Sequence, residues 1–266
     1  MNAFEKLSLP TVKHIIAVAS GKGGVGKSTV SANLAIALMR QGYKVALVDA
    51  DIFGPSIPRM FGVESAQPEV ITEGEKDMMF PIERFGVKIM SIGFFVKTNQ
   101  GLIWRGPMAA NAMTQLLENT QWGDTDYMII DFPPGTSDIQ LTTVQKLSIT
   151  GAIIVTTPQE IALNDARKAA SLFNNKDLKV PILGVVENMS WFTPKPHPEE
   201  KYFIFGEGGG QRLANELGVP VLGQIPLIAE VGEAADKGLS VYSQSDKVAV
   251  EAFDGIVEAI IEKSKV

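Results

Sequence analysis

The chain of 266 residues contains no cysteine and only two histidines, His14 and His197. Thiolates are the preferred protein ligands of soft metal ions and of many metal clusters. A metal bound by this chain alone must therefore rely on carboxylates, methionine sulfur and two imidazoles. His14 stands beside the first predicted strand, whereas His197 stands in a proline-rich loop. We interpret His197 as an exposed loop residue, with a substitute metal ligand as the alternative.

Long apolar runs and an excess of basic residues are also missing. No stretch approaches the roughly 20 apolar residues of a membrane span, and Met1–Pro10 lacks the basic-then-apolar order of a secretion signal. We therefore expect a cytoplasmic protein with no membrane partner. The net charge of −6 and the isoelectric point near 5.1 argue against a nucleic-acid partner, because such binding needs clustered lysine and arginine.

Apolar runs alternate with helical patterns along the whole chain, and hydrophobic residues make up 45% of it. The predicted strands are Ile15–Ala19, Lys44–Val48, Val87–Ile92, Tyr127–Ile130, Ala152–Thr156, Ile182–Glu187 and Val221–Ile225. The predicted helices are Ser28–Arg40, Met108–Glu118, Ile139–Lys146, Leu163–Phe173 and Gln211–Leu217. This order predicts an α/β fold, with a mainly parallel central sheet and helices on both faces. We expect a lead-in over residues 1–12 and a single domain over residues 13–266.

Residues Gly21–Thr29 read Gly-Lys-Gly-Gly-Val-Gly-Lys-Ser-Thr and match the phosphate-loop pattern between a strand and a helix. Glycines let backbone N–H groups close on phosphates at the start of the helix. Lys27 supplies a cation for the β and γ phosphates, and Ser28 supplies a magnesium ligand. The predicted contacts to ATP are Gly21, Gly23, Gly24, Val25, Gly26, Lys27, Ser28 and Thr29.

Carboxylates follow two of the predicted strands. Asp49 and Asp51 end the second strand, where they could complete a magnesium shell and orient an attacking water. Asp131 ends the apolar Tyr127–Ile130 strand, in the arrangement that holds magnesium, usually through water. Four residues later, Gly135 permits close approach of the backbone to a γ-phosphate. Ser28, Asp49, Asp51 and Asp131 are therefore the predicted Mg²⁺ site.

Two further positions are candidates for the base of the nucleotide. Asn188 follows the Ile182–Glu187 strand, and its amide can both donate to and accept from the edge of adenine. A loop-capping asparagine is the alternative. Pro226, after the last strand, is interpreted as a backbone contribution to the same pocket.

Lys22, directly after the opening glycine, resembles the deviant Walker A lysine of a family that includes nitrogenase iron protein, the Min and Par positioning ATPases and the Mrp carriers. The resemblance implies that Lys22 reaches the nucleotide of a partner copy, so that ATP binding and homodimer formation are one event. It also implies that Asp51 is the switch I residue that positions water. Asp49 supports the metal, and the segment after Asp131 is switch II. Lys22, Lys27 and Asp51 are the implied catalytic residues.

Several stretches are similar to the Mrp and ApbC branch, the ATP-dependent iron–sulfur cluster carriers. They are Trp104–Met108, Asp131–Asp138, Thr157–Glu160, Glu187–Ser190 and Phe205–Gly210. The resemblance implies a bound iron–sulfur cluster and apoprotein or cluster-assembly partners. Members usually hold the cluster through a Cys-x-x-Cys pair after the Asn-Met-Ser segment, but Trp191–Tyr202 contains no cysteine here. The usual cluster site cannot form. Many members also carry a small N-terminal domain, so the chain is expected to be a short form or an excised piece.

Two alternatives remain open. One is a switch of the Min or Par type, in which ATP-dependent dimerisation acts on a protein client. The C-terminal segment Asp246–Val266 is amphipathic but carries five acids against three lysines, so it is expected to pack on the core and not on anionic lipid. The other alternative is a small-molecule kinase or ligase similar to dethiobiotin synthetase, although no separate acceptor-binding motif is evident.

Overall fold

The computed structural model describes residues 6–74, 76–95, 106–175, 178–243 and 247–265. The strands are β1 Val12–Ser20, β2 Val45–Asp49, β3 Val70–Glu73, β4 Lys76–Met79, β5 Ile82–Arg84, β6 Val87–Ser91, β7 Thr125–Asp131, β8 Gly151–Thr156, β9 Ile182–Asn188 and β10 Val221–Ile225. The α-helices are α1 Lys27–Arg40, α2 Ile57–Met60, α3 Gly106–Asn119, α4 Asp138–Lys146, α5 Glu160–Phe173, α6 Gly209–Leu217, α7 Ala229–Asp236 and α8 Lys247–Ser264.

Eight strands form one sheet in the order β10-β9-β8-β1-β7-β2-β6-β5. Every pairing is parallel except β5 with β6, which is antiparallel. The predicted mainly parallel α/β sheet is therefore confirmed. All seven predicted strands are present, and β3 and β4 form a separate antiparallel ribbon that the sequence did not indicate.

Helices cover both faces of the sheet. One core contains Leu34 of α1 and Phe253 of α8. The other contains Met113 of α3, Leu163 of α5 and Leu213 of α6. Full burial of such side chains contributes about 1.5–3 kcal/mol each. The C-terminal helix α8 packs on the sheet through its apolar face, as its sequence predicted.

The carboxyl ends of the parallel strands lie at one edge of the sheet, where ligands of open α/β sheets bind. In the register of β2 and β7, Asp49 is paired with Asp131. The loop after β1 starts at the same edge, because β1 pairs with β7 on its other side. The fold therefore brings three separately predicted motifs together.

Candidate nucleotide site

The loop between β1 and α1 surrounds a cavity of about 200 Å³. Its lining residues include Lys22, Gly23, Gly24, Val25, Gly26, Lys27, Ser28, Thr29, Asp51, Ser56 and Pro134. Within the part of the chain that the structure describes, no side chain caps the N-terminus of α1, and the first turn of this helix carries no acidic residue. Its first N–H groups are thus available to an anion, which the helix dipole also favours.

Glycine is required at position 26 for two reasons. Gly26 has φ 81°, in the left-handed region, and it forms the N-cap of α1. A Cβ at this position would lie 2.2 Å from Nδ2 of Asn188. A side chain at position 26 would therefore strain the loop backbone and push the Asn188 amide away from its contact with the carbonyl of Val25.

Asp131 organises the side chains at the start of α1. Its Oδ1 lies 2.8 Å from Nζ of Lys27 and accepts a hydrogen bond of 2.6 Å from Oγ of Ser31. Its Oδ2 accepts a hydrogen bond of 2.6 Å from Oγ of Ser28. Lys27 and Asp131 are both buried. Burial strengthens such charge-assisted contacts because little water screens them.

Asp49 is fully buried, and its carboxylate holds the backbone of the following loop. It accepts hydrogen bonds from the N–H of Asp51 at 3.1 Å and of Ile57 at 3.2 Å. Oγ of Ser91 donates a third at 3.2 Å. Burial, followed by the neighbouring charge of Asp131, raises the pKa of Asp49 to about 7.

Asp51 differs from Asp49 in its position, because it is only partly buried and lines the cavity. Burial is the main cause that raises the pKa of Asp51, and Lys27 opposes the shift. Its Oδ1 accepts a hydrogen bond from the N–H of Gly54 at 3.2 Å. Asp49 therefore fixes the loop, and Asp51 lies in that loop on the wall of the cavity.

The segment after β7 reaches the same cavity through Pro134. Gly135 has φ 80°, and its N–H donates to the carbonyl of Ser20 at 2.9 Å. Nε2 of Gln140 donates to the carbonyl of Pro133 at 2.8 Å. Both ends of this turn are thus anchored, and the turn is held beside the phosphate loop.

The structure places the two adenine candidates differently. Asn188 is buried, and its Nδ2 donates to the carbonyl of Val25 at 2.8 Å. Pro226 lines a second cavity, which it shares with Trp191 and Leu227. Recognition of adenine by Asn188 and Pro226 stays a prediction.

Lys22 is partly buried and lies on the wall of the phosphate-loop cavity. Its carbonyl accepts a hydrogen bond from Oγ of Ser20 at 3.0 Å, which fixes the backbone of the loop. The action of Lys22 on the nucleotide of a second copy stays a prediction.

Two buried residues near the site were not found from the sequence. Ser31 lies three residues after Ser28 and thus on the same side of α1, a spacing that could have indicated its contact with Asp131. Glu187 accepts hydrogen bonds from Oγ of Ser190 at 2.9 Å and Nε2 of Gln224 at 2.7 Å. The N–H of Gly210 also donates to Glu187. Glu187 therefore fixes both ends of the long loop between β9 and α6.

That loop carries His197, which is exposed as expected. His197, Glu199 and Glu200 bring their ligand atoms within 4.8 Å of one another, but all three side chains lie at the surface. His14 is remote in sequence and stacks on Tyr127 with ring centroids 5.0 Å apart. Trp104 and Arg105 belong to one of the stretches that resemble the carrier family, and they lie outside the described residues.

Among the helices in the described ranges, none combines the length and apolar character needed to cross a membrane.

The chain matches known proteins over nearly its whole length. A family model described as "ParA: NUBPL iron-transfer P-loop NTPase" matches residues 11–261. An iron-sulfur cluster carrier protein of Aquifex aeolicus is 47% identical over 259 residues, which are 97% of this chain and 70% of the relative. The iron-sulfur cluster carrier protein of Pyrococcus horikoshii is 46% identical over 260 residues, or 95% of this chain and 87% of the relative.

Solved structures agree with this relationship. A nucleotide-binding protein from Archaeoglobus fulgidus, in complex with ADP and with cobalt found in it, is 37% identical with a TM-score of 0.76. The match covers 92% of this chain and 93% of that protein. The cell division ATPase MinD of Pyrococcus furiosus is 23% identical with a TM-score of 0.65, and the match covers 94% of this chain and 98% of MinD. At this identity the match shows only that the two proteins share a fold. Because the family model and the carrier proteins match nearly the whole chain, including its phosphate loop, the chain belongs to the NUBPL iron-transfer P-loop NTPases of the ParA family.

Proposed function

We propose that the protein binds ATP with Mg²⁺, hydrolyses it slowly and couples binding to the formation of a homodimer. The observation that carries this proposal is the contact of one buried carboxylate, Asp131, with both Lys27 and Ser28. The same two side chains line the cavity beneath the loop amides. ADP in the Archaeoglobus fulgidus relative supports a nucleotide as the ligand.

Phosphate binding rests on the loop from Gly21 to Thr29. Its N–H groups and the uncapped start of α1 attract the phosphate oxygens, and Lys27 adds a full positive charge. Because Lys27 is buried, its attraction to a phosphate is weakly screened by water. Lys27 therefore contributes mainly to binding of the ground state.

The residues present fit a magnesium ion. Oγ of Ser28 and Oδ2 of Asp131 lie 2.6 Å apart, and hard oxygen donors of this kind are those that Mg²⁺ prefers. Ser28 and Asp131 would hold the ion, in part through water, with Asp51 nearby. Bound Mg²⁺ would neutralise charge on the phosphate groups. We assign Asp49 an indirect part, because its carboxylate is occupied by the loop that carries Asp51.

Hydrolysis requires a water placed in line with the γ-phosphate. We assign Asp51 as the acceptor for that water, since Asp51 lines the cavity and burial raises the pKa of its carboxyl group. A raised pKa makes a carboxylate a better proton acceptor. Lys22 of a second copy completes the charge around the phosphates, which makes the active site depend on the dimer.

The cargo of this ATPase depends on other proteins, because the chain has no thiolate of its own. The relatives are named iron-sulfur cluster carrier proteins, but this chain contains no cysteine. We propose that the ATPase and its dimerisation are retained and that a partner protein supplies thiolate ligands for any cluster. Apoproteins and cluster-assembly proteins are then the expected partners.

The lack of cysteine also favours a second function, an ATP-dependent dimerisation switch for a protein client without any cluster. The two functions are separated by anaerobic reconstitution with iron and sulfide. The mixture includes a cysteine-containing protein that binds one of the related carrier proteins and can supply thiolate ligands. Transfer of a cluster to an apoprotein, stimulated by ATP and abolished by Lys27→Ala, supports the carrier. Release of a bound client protein on addition of ATP, with no iron found in either the bound or the released protein, supports the switch. An intact protein that neither binds nor hydrolyses ATP contradicts both.

A further inference from the structure

A second cavity, of about 630 Å³, lies between the loop that follows β9 and the segment that follows β10. Its size falls in the range of about 300–1,000 Å³ that is typical of sites for small organic ligands. It shares no lining residue with the phosphate-loop cavity. Among the residues predicted to contact the nucleotide, Pro226 alone lies in its wall, and the predicted contribution of Pro226 is from its backbone.

The walls of this cavity are apolar and are fixed by main-chain hydrogen bonds. Trp191, Phe192, Leu227, Ile228 and Val248 contribute apolar side chains. The N–H of Leu227 donates to the carbonyl of Trp191 at 2.7 Å, which joins the two walls. This bond fixes the two walls relative to each other.

A hairpin-like contact fixes the outer wall. Phe192 and Tyr202 exchange two main-chain hydrogen bonds, of 2.9 Å and 2.8 Å. Phe192, Tyr202 and the next two residues, Phe203 and Ile204, are exposed. Apolar surface therefore continues from the cavity onto the loop, which is unusual for a surface without a ligand or partner.

The charged groups at the cavity leave one cation without a carboxylate. Glu230 forms an ion pair with Lys195. Lys201, in contrast, lies over the ring of Trp191, with Nζ 4.2 Å from the ring centroid. Within the described ranges, no carboxylate lies within ion-pair distance of Lys201. The cavity thus combines apolar walls with a positive charge at its edge.

We propose that this cavity binds an apolar carboxylate, a hydrocarbon or aromatic group that ends in one carboxylate. The apolar part would lie against Trp191 and Leu227, and the carboxylate would pair with Lys201. A cationic ligand is disfavoured by Lys201, and a purely polar ligand would leave the walls unused. The same chemistry can come from a free organic acid or from the C-terminal residue of another protein.

The test uses Trp191 as the reporter, because it forms part of the wall. Octanoate, its neutral analogue octanol, and a short peptide ending in Leu-Phe with a free or an amidated C-terminus are titrated into the full chain. Tryptophan fluorescence and isothermal titration calorimetry measure binding. Trp191→Phe shows which part of the signal comes from Trp191, since Trp104 and Trp122 also emit.

A saturable response to octanoate or to the free-acid peptide, at least about tenfold stronger than to the uncharged analogue, is expected for a charge-assisted contact. Lys201→Gln should weaken binding by about tenfold, whereas Lys247→Gln, on α8 next to the cavity residue Val248, should leave it unchanged. Response to octanoate alone identifies a free acid, and response to the peptide alone identifies a protein C-terminus.

The proposal is overturned if neither carboxylate binds in calorimetry. It is also overturned if octanol binds as tightly as octanoate, or if Lys201→Gln binds like the wild type. Val248→Glu provides a variant that does not disturb the core, because Val248 is exposed. Its added carboxylate should weaken octanoate binding, and unchanged binding would contradict the assignment of the cavity.

Discussion

Nζ of Lys27 lies 2.8 Å from Oδ1 of Asp131, and the two side chains are 6% and 0% exposed. A phosphate and Asp131 thus compete for one ammonium group. Removal of one partner of a buried pair leaves an uncompensated charge and costs about 3–5 kcal/mol. Replacement of either residue would therefore lower the stability of the fold as well as change the site, so any variant of Lys27 or Asp131 needs a check of folding, and Ser31 provides a cleaner test.

Ser31→Ala should lower ATP turnover by about fivefold to tenfold while nucleotide affinity changes little, because one hydrogen bond contributes about 1 kcal/mol. Oγ of Ser31 donates to the same carboxylate oxygen that contacts Lys27. Phosphate release is measured across a titration with Mg²⁺. Ser171→Ala, an exposed serine of α5, is the matched control. Equal turnover in both variants would show that the contact of Ser31 with Asp131 does not contribute to hydrolysis.

Lys22→Ala should weaken the nucleotide-dependent dimer and leave nucleotide binding by the single chain largely intact. A ligand shared across an interface binds the dimer preferentially and so shifts the population toward it. Sedimentation velocity with a non-hydrolysable ATP analogue and Mg²⁺ measures the shift, and Lys168→Ala on the surface of α5 is the control. The same monomer–dimer balance with and without nucleotide in the wild type would refute the role of Lys22.

Asp49 should make the free energy of unfolding depend on pH. Its pKa is raised from 3.8 to about 7 in the folded protein, so the folded chain keeps a proton that the unfolded chain releases. Stability contributed by this proton is present at low pH and is lost as pH rises from about 4 to 7, with a slope of at most about 1.4 kcal/mol per pH unit.

The difference between the wild type and Asp49→Asn isolates this group, since other carboxylates titrate in both proteins. Urea unfolding at several pH values should show a falling wild-type stability relative to Asp49→Asn across that window. Parallel profiles would mean that the pKa of Asp49 is not raised.

The purified protein alone should not keep an iron–sulfur cluster, because it lacks the thiolates that ordinarily hold one. Its ATPase should work without iron, since the phosphate site contains no cysteine-dependent contact. Iron and sulfide are measured after anaerobic reconstitution and desalting, in the wild type and in His197→Ala. A stable cluster that is lost in His197→Ala would show histidine ligation and would contradict this prediction.

The parallel strands could be predicted because they are buried on both faces and read as continuous apolar runs. β1, for example, is fully buried from Ile15 to Ser20. The ribbon of β3 and β4 could not be predicted, because β3 is exposed along its length and has no apolar face to mark it. β5 has only three residues, which is too short for a pattern.

In the site, too, residues of a contiguous motif could be predicted, whereas contacts between residues far apart in the sequence could not. Lys27 and Ser28 belong to a contiguous motif, and Asp131 ends a recognisable strand, so sequence indicated them. The contacts of Ser31 and Glu187 depend on residues up to 100 positions away, and no local pattern encodes those distances. The occupied carboxylate of Asp49 likewise became evident only from the path of the loop to Ile57.

The most direct test of the nucleotide site compares Lys27→Ala with Asp51→Ala in ATP binding and in single-turnover hydrolysis, after circular dichroism has shown that both are folded. Lys27 holds ground-state charge, so its loss should remove most ATP affinity. Asp51 acts on water, so Asp51→Ala should bind ATP within about threefold of the wild type and lose hydrolysis by at least about a hundredfold. Equal loss of binding in both variants, or full hydrolysis by Asp51→Ala, would contradict the assigned roles.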